Sequence, residues 1–139
     1  MSLRDWLSMA LRIHIVEDSV YVRSYLMQAI AAIQDVEVTG YSEEADKAVE
    51  LIGMQRPDVV LLDLALKEGS GLSVLRQIKR LVPAPLVIVL TNHAEGVYRS
   101  RSMLEGADYF FDKSLEFELA LETIGDISSA GIESIEKAD

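Results

Sequence analysis

Short apolar runs alternate with stretches of helical periodicity five times along this chain, and few folds accommodate that order. The runs are RIHIV (12–16), VEVTGY (36–41), DVVLLDL (58–64), LVIVL (86–90) and DYFFD (108–112), and each reads as a strand. The third is apolar almost throughout, as a strand covered on both faces is. Between and after them, residues 19–33, 42–55, 72–82 and 116–124 repeat their apolar positions every three to four residues, which predicts helices, and 95–105 reads as a further helix, poor in apolar residues. In the first helix Val22, Leu26, Ala29, Ile30 and Ile33 share a face. In the second Ala45, Ala48, Val49 and Ile52 do, and in the third Leu72, Leu75, Ile78 and Val82. Ser19 and Ser42 stand where N-caps belong, Pro57 stops the second helix, and Gly106 ends the fourth. Gly69 and Gly71 suit a flexible loop before the third helix. Five strand-then-helix units predict an α/β fold: a doubly wound, five-stranded parallel sheet with helices on both faces and right-handed crossovers.

Charge narrows the chemistry. Thirteen basic residues against twenty-three acidic ones give a formal charge of -10, which disfavours direct binding to nucleic acid or to an anionic membrane. With no cysteine, thiolate metal sites are excluded, and only His14 and His93 could offer imidazole. Any bound metal is therefore expected to be a hard ion held by oxygen. No apolar run approaches the roughly 18 residues of a membrane span. The start, MSLRDWLSMAL, lacks the order of a secretory signal, so a cytoplasmic location is expected.

In open parallel sheets, ligands bind beyond the carboxyl ends of the strands. Those ends carry Glu17 and Asp18 on the first strand, Asp63 on the third, Thr91 on the fourth, and Asp112 and Lys113 on the fifth. The second strand carries nothing comparable, as suits an outer strand. Three carboxylates brought together repel, and each would resist ionisation unless a cation joined them. A divalent ion of Mg2+ character, with oxygen ligands and retained waters, resolves that conflict. Lys113 supplies a second positive charge and Thr91 a hydroxyl donor, which together suit a dianionic phosphoryl group. Asp63 in such a pocket can act as a nucleophile and form an acyl phosphate.

IVEDS around Glu17 and Asp18, VVLLDLAL around Asp63, VLTN around Thr91 and GADYFFDKS around Lys113 lie in this order, each at a strand end. Over about residues 11–127 the chain resembles the receiver domain of bacterial two-component response regulators. The resemblance implies a flavodoxin-like sheet in the order 2-1-3-4-5 and a phosphoprotein in which Asp63 is the phosphoacceptor. It implies Mg2+ held by Asp18 and Asp63 directly, by Glu17 through water, and by the backbone carbonyl of Ala65. Thr91 and Lys113 would bind the phosphoryl group. Thr91 and Phe110, the aromatic three residues before the lysine, would form the switch, Phe110 moving inward. The donor would be a sensor histidine kinase or a histidine phosphotransfer protein. An output partner, or a second copy in a homodimer, would meet the face formed by the fourth helix, fifth strand and fifth helix. Such a module is not an enzyme beyond Mg2+-dependent self-phosphorylation from phosphodonors and autodephosphorylation.

Three positions depart from the family pattern. Ser114 follows the lysine where many receivers have a proline after a cis bond, and a non-proline cis bond costs about 2.5–4 kcal/mol. Asn92 follows Thr91 where a small residue is common. Phe110 lacks the hydroxyl of the frequent tyrosine, so it can signal only by packing. A phosphohydrolase of the haloacid dehalogenase type would also use a strand-end Asp, but it needs a second Asp two residues on, where Ala65 stands. A degenerate receiver that binds partners without phosphorylation would not need the complete set of acids and lysine.

Residues 1–10 read as an N-terminal extension, 11–127 as the receiver domain, and 128–139 as a polar tail. The tail is too short for a helix-turn-helix domain, so the chain either acts without an output domain or is a piece of a longer regulator. Leu3, Trp6, Leu7 and Leu11 fit a small docking helix or an ordering without consequence. His93 is expected to face solvent beside the site.

Overall fold

A computed structural model describes residues 10–131. Five strand–helix pairs follow one another: β1 (Leu11–Val16) and α1 (Val20–Ala31), β2 (Val36–Ser42) and α2 (Ala45–Gln55), β3 (Val59–Leu62) and α3 (Gly71–Ile78), β4 (Leu86–Thr91) and α4 (Gly96–Leu104), β5 (Tyr109–Asp112) and α5 (Phe117–Ala130). The strands form one parallel sheet in the order β2-β1-β3-β4-β5. This is the doubly wound, flavodoxin-like arrangement expected from the sequence. Among the described residues no helix is long and apolar enough to cross a membrane.

Alternation along the central strands splits the core in two. Ile13, Ile15, Val59, Leu61, Ile88 and Leu90 face α1 and α5, where Leu26, Ile30, Ala120, Ile124 and Ile127 meet them. Val60, Leu62, Val87 and Val89 face α2 and α3, against Ala48, Ile52, Leu75 and Ile78. Both faces of β3 are thus covered, which accounts for its unbroken apolar run. The helix α4 packs on β5 and α3.

Several expectations shift. Ser42 does not cap α2. It ends β2, is 4% exposed, and its hydroxyl lies 2.9 Å from His14 Nε2. The cause is a register shift in β2: Ile13 pairs with Val38 and His14 with Gly40, leaving Thr39 as an extra residue. Gly40 then passes so close to Gln55 Oε1 that a Cβ would sit 2.6 Å from it. The helix α3 ends at Ile78, short of the two prolines, and Val82 is exposed. The last helix instead runs beyond Ile124 to Ala130, because Ile127 is buried and the Ser128 hydroxyl donates to the Gln34 and Asp35 carbonyls. Of the suggested docking residues, Leu11 is the buried first residue of β1, while Leu3, Trp6 and Leu7 lie outside the described residues.

His14 is fully buried between Ser42 and Gln55, and burial lowers its pKa from the ordinary 6.5 against the smaller opposing effect of the Gln55 hydrogen bond. The unfolded chain therefore takes up a proton below 6.5 that the folded chain resists. Stability present above that value is lost as the pH falls toward the folded-state pKa, with a slope of at most about 1.4 kcal/mol per unit. Urea unfolding at about pH 7 and about pH 5.5 should show this loss in the wild type and a flatter profile in His14→Gln. Equal slopes in the two proteins would remove His14 from the account.

Candidate functional site

The acids gather because β1 and β3 are central neighbours that end at one level. Glu17 follows β1 and is 3% exposed, and its amide donates to the Ser42 carbonyl at 3.0 Å. Its carboxylate accepts from the Ser19 amide at 3.1 Å, while the Ser19 hydroxyl accepts from the Val22 amide and caps α1 as the sequence suggested. Asp63 follows β3, is 7% exposed, and donates its amide to the Val16 carbonyl at 3.0 Å. Its Oδ1 accepts from the Ala65 amide at 3.2 Å. Glu17, Asp18 and Asp63 each bring a carboxylate oxygen to within 4.8 Å of the others.

Lys113 reaches into this cluster from the end of β5. Its ammonium lies 2.7 Å from Glu17 Oε1 and 2.9 Å from Asp63 Oδ2. Burial alone would lower the lysine pKa, but the bonds to Glu17 and Asp63 outweigh it and hold the pKa above the ordinary value. Burial pushes Glu17 the other way, upward, against the opposing pull of Lys113 and the Ser19 amide. Three carboxylates and one ammonium leave two negative charges, and Lys113 answers only two of the three acids. A hard, oxygen-preferring dication matches both the donor set and that deficit.

The loop from Ala65 to Ser70 is closed by an antiparallel bridge between those two residues, and the Gly71 amide donates to the Leu64 carbonyl at 3.0 Å. Gly71 therefore begins α3 rather than loosening the loop before it. Thr91 is the last residue of β4, fully buried, with its Oγ1 accepting from the His93 amide at 3.2 Å. The Lys113 amide donates to the Thr91 carbonyl, so the two phosphoryl-binding candidates are neighbours across β4 and β5. His93 is exposed, with its ring 5.4 Å from that of Tyr98.

The departures from the family pattern have simple outcomes. The one cis peptide bond among the described residues is Val82–Pro83, so Lys113–Ser114 is trans. The Asp112 carboxylate accepts the Ser114 amide at 2.8 Å, which turns it away from the acid cluster. The Ser114 hydroxyl donates to Asn92 Oδ1 at 2.9 Å, tying the loops after β4 and β5 together. Phe110 is already inward, 5% exposed, with the Arg99 guanidinium 4.6 Å over its ring. Arg99 also donates to the Phe110 carbonyl and pairs with Glu116 at 3.5 Å.

One buried residue beside the site escaped the sequence reading. Arg23, on α1, donates from Nη1 to the Glu17 carbonyl at 3.0 Å and pairs through Nη2 with Glu43 at 3.0 Å. Its position next to Val22 on a helix with an apolar stripe offered no local signal, since its partners lie on other elements.

A family model described as the response regulator receiver domain matches residues 13–124. A protein-glutamate methylesterase/protein-glutamine glutaminase of Pyrococcus abyssi is 33% identical over 104 residues, 74% of this chain but 28% of that protein. The chain spans about a quarter of the length of such curated relatives, from 23% to 29% in the first three. Among solved structures, the signal receiver domain of a DNA-binding response regulator from Colwellia psychrerythraea superposes with a TM-score of 0.77 at 27% identity, covering 86% of this chain and 98% of that one. The CheX–CheY–BeF3–Mg2+ complex from Borrelia burgdorferi matches with a TM-score of 0.76 over 84% of this chain and 88% of that one, a likeness of fold at 20% identity.

Proposed function

Because the chain belongs to the response regulator receiver domain family, we propose that it is a phosphorylation-driven signalling module with Asp63 as phosphoacceptor. The observation that carries this is the placement of Asp63: buried past β3, grouped with Glu17 and Asp18, and ion-paired to Lys113. An oxygen of the Asp63 carboxylate attacks the phosphorus of a phosphohistidine on a sensor histidine kinase or histidine phosphotransfer protein. The new O–P bond forms as the P–N bond breaks, and the electron pair leaves on the imidazole, which takes up a proton. Asp18, Asp63 and the Ala65 carbonyl, with Glu17 through water, would hold Mg2+, which when bound would supply positive charge for the phosphoryl oxygens. Lys113, released from part of its ion pairing with Asp63, turns to the phosphoryl group, and the Thr91 hydroxyl donates to it.

A phosphoryl group with roughly two negative charges adds a partner that Thr91 and Lys113 lack beforehand. A charge-assisted bond contributes about 1.5–3 kcal/mol, enough to shift a balanced equilibrium roughly ten- to a hundredfold. The change passes from Thr91 to Phe110, where it acts on how Arg99 holds an already buried ring. The α4-β5-α5 face exposes Val97, Met103, Leu104, Leu115 and Leu119, and that is where an output partner or a second copy docks. Nothing in the charge balance favours direct contact with nucleic acid.

Incubation with acetyl phosphate and Mg2+ should add one phosphoryl group to the wild type and none to Asp63→Asn, by intact mass. Equal labelling would sink the assignment. On the same proteins, beryllofluoride should change amide exchange near the site and across residues 97–120 in the wild type, and only near the site in Thr91→Ala.

A further inference from the structure

Among the described residues, Arg23 is a buried charged side chain beside the acid cluster that phosphoryl transfer leaves without a task. It is 8% exposed, and a guanidinium taken out of water is costly unless its N–H groups find partners. Its partners are unusual for a core position. Nη1 donates to the backbone carbonyl of Glu17, Nη2 meets the Glu43 carboxylate beyond β2, and the guanidinium plane lies 4.3 Å over the Tyr41 ring. Arg23 thus ties three segments together: α1, the turn after β1, and the end of β2.

That turn carries Glu17 and Asp18, whose carboxylates repel each other and Asp63. Lys113 restrains the Glu17 and Asp63 side chains, and the Ser19 amide also holds Glu17. The Asp18 side chain has no hydrogen bond or ion pair among the described residues. Among the described residues nothing but the backbone of the turn fixes its position, and the Glu17–Asp18 peptide carbonyl is the group that Arg23 grips.

We infer that Arg23 is a positioning residue for the cation site, clamping the β1–α1 turn against carboxylate repulsion so that Asp18 stays aimed at the ion. The inference rests on the phosphoacceptor reading above. Arginine suits the position because its planar fork puts separate nitrogens on two partners, Nη1 on the Glu17 carbonyl and Nη2 on Glu43, where lysine offers a single nitrogen. Support of this kind around a metal is worth about 10- to 100-fold in affinity.

Charge and position make opposite forecasts. If Arg23 acted only as a nearby positive charge, removing it would tighten Mg2+ binding; if it positions the turn, removing it weakens binding. Mg2+ titrations followed by amide shifts should give about tenfold weaker binding in Arg23→Met, only partial recovery in Arg23→Lys, and a smaller loss in Glu43→Gln. Thermal melts run alongside identify the folded protein. A merely structural residue would lower the melting temperature and leave the affinity of the folded protein unchanged. Binding by Arg23→Met as tight as wild type, or tighter, overturns the inference. Should Arg23→Met not fold, unchanged affinity in Glu43→Gln overturns it equally. Failure of the wild type to bind Mg2+, or full affinity in Asp18→Ala, would instead bring down the phosphoacceptor reading itself.

Discussion

Gly71→Ala is expected to destabilise the protein by about 3 kcal/mol, although an alanine in place of a helical glycine ordinarily stabilises by about 0.4–1 kcal/mol. Gly71 opens α3 directly behind the loop that follows Asp63, with its amide donating to the Leu64 carbonyl. A Cβ there would overlap the Asp63 carbonyl oxygen and lie 2.5 Å from Leu64 Cα, and both are backbone atoms that cannot rotate aside. Relief would require α3 to pull Leu75 and Ile78 out of the core, or Asp63 to move out of the acid cluster. The bridge between Ala65 and Ser70 holds both ends of the loop and opposes either motion. Gly53, inside α2, provides the control, since a Cβ there meets nothing within 4 Å. Gly53→Ala should raise stability by about 0.5–1 kcal/mol. Urea unfolding of the two variants checks the pair, and a Gly71→Ala protein as stable as wild type would refute the steric account.

Lys113→Met should have two effects of opposite sign. Without Mg2+ it leaves Glu17 and Asp63, 3% and 7% exposed, with no cation between them. Removing one partner of a buried ion pair costs about 3–5 kcal/mol, and the variant should melt well below wild type. Glu17, whose pKa burial already raises above 4.5, loses the lysine that opposes that rise. In the variant the folded state keeps a proton that the unfolded state releases, so stability should fall as the pH rises above 4.5 toward the raised value. Added Mg2+ should reverse the picture. With the competing ammonium gone, the carboxylates attract the ion more strongly, so the variant binds Mg2+ more tightly than wild type and regains stability by linkage. Melting curves across a Mg2+ series read both effects. A variant as stable as wild type without Mg2+ would mean that Lys113 does not compensate these acids. Even with the ion bound, Lys113→Met should not carry phosphorylation to the α4-β5-α5 face, because one of the two groups proposed to sense the phosphoryl charge is missing.

Much of this was legible along the chain. The unbroken apolar runs at residues 59–62 and 86–90 marked two of the central strands because burial on both faces leaves no polar position in such a run. The acids at 17, 18 and 63, the hydroxyl at 91 and the ammonium at 113 were recognisable because a parallel sheet brings its strand ends to one edge whatever the loops between them do. The Ser42 cap and the limits of α3 and α5 were not, because N-cap preference and stripe length are local signals. A register shift in β2 and the burial of Ile127 overrode them.

By itself, then, the sequence determined the class of fold, the elements and the identity of the converging groups, since all three follow from the type and spacing of neighbouring residues. The tertiary structure alone decided which groups touch. Lys113 meets Glu17 across 96 positions, and Arg23 grips the Glu17 carbonyl while Glu43 anchors it from the turn after β2. Gly71 is needed because the backbone of Asp63 and Leu64 passes behind it, and Phe110 lies inward under Arg99. Hydrogen bonds and overlaps act over about 3 Å. No pattern along the chain records which distant residue fills that distance until the sheet is assembled.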